Sequence, residues 1–148
     1  MAITVAQKIL WIIRLIDRIS SWESSLSAYL ISKKNEPFEY GVNDCCLFAA
    51  GAVEAITGEN PIPEFIGAYD SLKTSIKALK TIGAGTLEKT MDAKFNEIAI
   101  GYAQTGDLAF HDGSIGVIVD ADALFVSDDG LFRVSRDKWS KAWSVGRG

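Results

Sequence analysis

Apolar residues recur along this chain with two different periods, and the change of period divides it. As far as residue 95 the spacing is helical. Ile9, Ile12, Ile13, Ile16 and Ile19 form one stripe, with Lys8, Arg14, Asp17 and Arg18 mostly elsewhere around the wheel. Residues 1–21 are therefore read as an amphipathic helix. Its stripe either packs on the rest of the chain or acts as a docking arm, and the pattern leaves both open. Ser20-Ser21 caps a second helix bearing Trp22, Leu26, Tyr29 and Leu30, which fades into Lys33-Lys34-Asn35-Glu36-Pro37. A third begins after Asp44 and carries Leu47, Phe48, Ala50, Gly51, Val53 and Ile56 to a C-cap at Gly58. Glu59-Asn60-Pro61-Ile62-Pro63 reads as a connector. Leu72, Ile76, Leu79 and Ile82 mark a fourth helix stopped at Gly83, and residues 86–93 a short fifth.

From about Ile98 the period falls to that of strands. Residues 108–110 and 115–119 are joined by His111-Asp112-Gly113-Ser114, and Asp-Gly is a strong hairpin signal. Residues 123–126, the turn Asp128-Asp129-Gly130 and residues 131–134 continue the pattern. Residues 136–143 are expected to close the chain as an amphipathic turn of helix carrying Trp139. Helices first and an antiparallel β-meander after them predict an α+β fold, with residues 22–148 as one domain.

Composition narrows the partners. The 148 residues are 48% hydrophobic and 10% aromatic, as in globular chains that bury a normal core. A net charge of −4 gives no basic footprint for nucleic acid. The N-terminal apolar run is interrupted by charges, too short for a membrane span, and it lacks the marks of a secretory signal. Cys45 and Cys46 are the only cysteines and His111 the only histidine. Neighbouring cysteines do not readily bond each other in a helix, so both thiols are expected to be free. Zinc wants four ligands, which these three residues cannot supply, and no cofactor is expected.

Chemistry concentrates between Phe38 and Ala50. Asp44 is a natural N-cap, which puts Cys45 on the first turn of an apolar helix. Free N–H groups and the helix dipole there favour a thiolate. The same residues would also serve as core filler, since cysteine is among the most buried residue types.

Tyr40-Gly41-Val42-Asn43-Asp44-Cys45 resembles the Trp-Gly…Asp-Cys start of NlpC-type peptidases, papain-like cysteine hydrolases that cut cell-wall peptides. Gly106-Asp107-Leu108-Ala109-Phe110 is similar to their Gly-Asp-Leu-hydrophobic-Phe strand, and Ser114-Ile115-Gly116-Val117 falls on their His-Val-Gly-Ile strand. Trp22-Glu23, Pro37-Phe38, Thr57-Gly58, Asp129-Gly130-Leu131 and Ala142-Trp143 extend the likeness to a small phage-encoded branch, over roughly residues 22–145. That branch is often encoded among phage tail genes. The resemblance implies a virion protein made in the host cytoplasm, with other tail-tip proteins as partners and peptidoglycan peptide as substrate if active.

The resemblance gives Cys45 the nucleophile's place, Asp44 the cap, and Tyr40 and Gly41 the edge of the substrate cleft. It also gives Ser114 the place of the catalytic histidine, and a serine hydroxyl is no base for a thiol near neutral pH. A two-residue turn at Asp112-Gly113 would set His111 directly opposite Ser114, offering one imidazole as a substitute. Ser127 or Asp128 would then orient it. Three functions follow from these residues: a cysteine peptidase of cell-wall peptides, an inactive structural subunit of a tail tip, and an acyl or amide transferase on the same scaffold.

Overall fold

The computed structural model describes residues 16–147. The helix expected over residues 1–21 falls mostly outside that range, and residues 16–21 are irregular chain ending in a turn. Among the described residues four α-helices come first: α1 (Trp22–Lys33), α2 (Cys45–Thr57), α3 (Leu72–Thr81) and α4 (Leu87–Lys94). Six antiparallel strands follow: β1 (Asn96–Ile98), β2 (Leu108–His111), β3 (Ser114–Val119), β4 (Asp122–Ser127), β5 (Gly130–Ser135) and β6 (Lys141–Ser144). The class is α+β, as the two periods predict. Among the described residues no helix is long and apolar enough to cross a membrane.

The sheet order is β1-β6-β2-β3-β4-β5, so only β2 to β5 form a meander. The expected helical turn over residues 136–143 is overturned. A single 3-10 turn, Arg136–Lys138, gives way to β6, which slots between β1 and β2. Alternation decides it, because Ala142 and Trp143 face opposite sides of the sheet and both are fully buried. Trp143 donates its indole N–H to Asp92 on α4, and Lys141 bonds the same carboxylate. β1 has only three residues, too few to show a period.

The larger core lies between the helices and one face of the sheet. There α2 contributes Phe48, Ala49, Ala52, Val53 and Ile56 against Leu108, Ile115, Val117 and Trp143. The other face carries a smaller cluster around Ala109, Ile118, Phe125 and Trp139. α1 packs on α2, where Tyr29 stacks on Phe48 and donates its hydroxyl to the Phe48 carbonyl at 2.7 Å.

Asp107, in the Gly-Asp motif, fastens the two ends of the described chain together. Its side chain is fully buried and accepts from Arg18 at 3.0 Å, from Arg147, and from the backbone N–H groups of Gln104 and Val145. Arg18 also donates to the carbonyls of Val145 and Thr105 and stacks on Trp22. Removing a buried carboxylate leaves its cationic partners without compensation. Asp107→Ala should therefore lower unfolding stability by about 3 kcal/mol in urea denaturation, and a loss below about 1 kcal/mol would contradict this account.

Candidate functional site: a cysteine cleft

The loop before α2 is shaped by its own hydrogen bonds. Glu39 and Asn43 close a short bridge, and the buried Asn43 amide donates to the Glu36 and Pro37 carbonyls at 3.1 Å. Gly41 sits at φ +79°, and a Cβ there would stand 2.3 Å from the Tyr69 carbonyl oxygen. No other residue fits that position. Asp44 then caps α2 as its sequence position predicts, accepting the Leu47 N–H at 2.9 Å through Oδ1. Its second oxygen accepts the Gly41 N–H at 2.9 Å and the Tyr69 hydroxyl at 2.7 Å. Burial and that bond to Asp44 push the Tyr69 phenol well above its ordinary value, so it stays a donor.

Cys45 occupies the first position of α2 and is half-buried. It opens on a cleft of about 340 Å³, within the range of ligand sites. Phe38 and Tyr40 line one side, Phe65 and Tyr69 another, and Leu72, Ser75, Ile76 and Leu79 of α3 a third, with Ser114 beside the thiol. The wall is largely apolar, and Asp44 is the only acidic residue among the described ones that line it.

The Cys45 thiol is lowered to about 7. The largest cause is a hydrogen bond from the Cys46 thiol, which works against burial. The Ile115 backbone N–H and the Ser114 hydroxyl also donate to it, while the charge of Asp44 opposes. Cys46 moves the opposite way, well above an ordinary thiol, because its proton is engaged by Cys45 and it is buried. Cys45 and Cys46 occupy the first two positions of α2, where backbone N–H groups have no partner within the helix.

The hairpin forms in the expected register. His111 pairs with Ser114 across Asp112 and Gly113, at φ +49° and +76°. The two side chains nevertheless part company. Ser114 reaches Cys45, whereas the His111 Nδ1 lies 3.0 Å from the Lys138 carbonyl oxygen and its ring meets Phe125 edge-on. Phe125 belongs to the cluster on the far face of the sheet, and His111 does not line the cleft. Ser127 is spent within its own turn, donating to the Gly130 carbonyl and accepting from Asp129. Tyr40 lines the cleft, while Gly41 works through the backbone.

The structure thus joins Asp44, Cys45, Tyr40 and Ser114, and leaves His111 and Ser127 apart from them. Tyr69 and the cleft-lining role of α3 escape a reading of the sequence, because the apolar stripe of α3 reads as ordinary core spacing and the exposure of Leu72 and Ile76 shows only in the fold. Among the described residues no group of three or more His, Cys, Asp or Glu side chains is placed to hold a metal ion.

Alkylation of Cys45 by iodoacetamide, followed by peptide mapping, should rise with pH around a midpoint near 7, as the thiolate forms. Ser114→Ala and Cys46→Ala should each move the midpoint up, because each removes a donor to the thiolate. His111→Ala should leave it in place. A midpoint near the ordinary thiol value of about 8.5 in the wild type would contradict this geometry.

Comparison with known proteins adds one match. A model of a domain of unknown function, DUF6950, matches residues 17–145. No curated protein and no solved structure matches the chain. The matched span takes in every helix and strand described above and the whole cleft, and the chain belongs to the DUF6950 family.

Proposed function

We propose that this chain is a phage tail-tip component on an NlpC-type, papain-like scaffold that has lost peptidase turnover. It keeps Cys45 as a reactive thiol in a cleft suited to peptidoglycan stem peptides. One observation carries the reading: Cys45 faces the cleft, while the chain's single imidazole is tied to the Lys138 carbonyl on the other side of the sheet. Support for the scaffold comes from a cysteine opening the central helix, packed against a hairpin strand that begins at Ser114, where NlpC-type enzymes carry their histidine.

The chemistry follows from what stands around the sulfur. Attack on an amide carbonyl needs a thiolate, which the Ser114, Ile115 and Cys46 donors favour. Expelling the amine needs a proton delivered to nitrogen, and releasing the acyl group needs an activated water. A serine hydroxyl does neither near neutral pH. The cleft can bind a peptide and its sulfur can react, but no imidazole stands among the described residues that line it to carry protons through the cycle.

A second reading, an active peptidase, is favoured by the lowered Cys45 thiol alone. Incubation with cell-wall muropeptides separates the two. The wild type should release no new amine above buffer over hours, and Ser114→His should gain slow turnover that Cys45→Ala abolishes. Sustained release by the wild type, lost in Cys45→Ala, would establish the active enzyme instead.

A further inference from the structure

The rim of the cleft carries charge that a peptidase cycle does not use. Along α3, with successive residues about 100° apart, Ser75, Leu79, Leu72 and Ile76 share one arc of the wheel. All four line the cleft, and Leu72 and Ile76 are 57% and 45% exposed. Lys80, Lys73 and Lys77 occupy the adjoining arc on the solvent side, and all three are exposed. The helix holds no acidic residue, although the chain as a whole is acidic. An apolar trough leading to a sulfur, edged by three lysines, fits a ligand with an aliphatic part, an electrophile at its end and an anionic remainder.

A cleft whose described lining holds a thiol but no imidazole also selects its electrophile. An amide must be given a proton before its amine departs, but a thioester's leaving group departs as a stable thiolate and needs none. We propose that Cys45 accepts an aliphatic acyl group from a thioester of an anionic carrier, with the chain in the Leu72–Ile76–Leu79 trough and the carrier against Lys73, Lys77 and Lys80. The Cys45 thiolate adds to the acyl carbonyl and the carbon–sulfur bond to the carrier breaks. The carrier leaves as its thiolate, and one acyl–sulfur bond replaces another with no net transfer of protons or electrons. Cys45 opens α2, so the free N–H groups of that first turn are the donors available to the oxyanion. With no imidazole among the described lining residues to activate water, the acyl group stays on Cys45.

This inference rests on the reading of Cys45 as an open, unassisted thiol, and goes beyond it in naming the acyl donor. The test treats the full chain with octanoyl coenzyme A and follows intact mass and mapped peptides. One octanoyl group should appear on the Cys45 peptide, be removed by neutral hydroxylamine, and be missing in Cys45→Ala. Acetyl coenzyme A should react at least about tenfold more slowly, since it leaves the trough empty. The combined Lys73→Glu, Lys77→Glu and Lys80→Glu variant should lose about tenfold in rate with octanoyl coenzyme A, yet react normally with octanoyl N-acetylcysteamine, whose carrier is uncharged.

No adduct in a sample whose Cys45 still takes iodoacetamide would overturn the acyl-donor proposal and leave the site reading intact. Equal rates for acetyl and octanoyl donors, or lysine reversal slowing both octanoyl donors alike, would also overturn it. Failure of Cys45 to take iodoacetamide would instead overturn the reading of the site itself.

Discussion

One carboxylate holds the site together. Asp44 accepts three hydrogen bonds, from the first turn of α2, from the Gly41 loop and from the Tyr69 hydroxyl. Each ties down a different wall of the same space. The bond to Leu47 fixes where the helix starts and therefore where Cys45 points. The bond to Gly41 sets the loop that carries Tyr40, and the bond to Tyr69 brings in the segment leading to α3. A buried carboxylate is tolerated only when it is well supplied with donors, and here those donors are the elements that form the cleft.

Reactivity at Cys45 grows from the same arrangement and is limited by it. The thiolate is favoured by neighbours that donate, not by a paired imidazole, and Asp44 itself pulls the other way. Donors stabilise a sulfur anion but do not shuttle protons. This is the physical basis of the two proposals, that the site binds and is modified without turning over an amide and that it takes an electrophile whose leaving group departs unprotonated.

Much of this was legible in the residues because local rules govern it. Asp44 before an apolar run announces a cap, Gly58 and Gly83 announce helix ends, and Asp112-Gly113 announces a hairpin whose register held. The destination of His111 was not legible. Pairing fixes which residues stand opposite, but a side chain at the end of a hairpin turns to the nearest acceptor, here the Lys138 carbonyl. That acceptor belongs to residues 136–143, whose aromatic spacing resembles helix while their alternation serves a strand inserted between β1 and β2. Such a long-range insertion leaves no local trace. The partnership of Tyr69 with Asp44, 25 residues apart, was hidden for the same reason.

The most direct test of Asp44's role is amide hydrogen exchange by NMR on Asp44→Ala against the wild type. Faster exchange is expected at Gly41 and Leu47, by about tenfold or more, with the tyrosine ring of Tyr69 loosened and the amides of β3 and β4 protected as before. Unchanged protection at Gly41 and Leu47 would mean that the loop and helix start are held by something else, and that Asp44 is not the constraint on which the cleft depends.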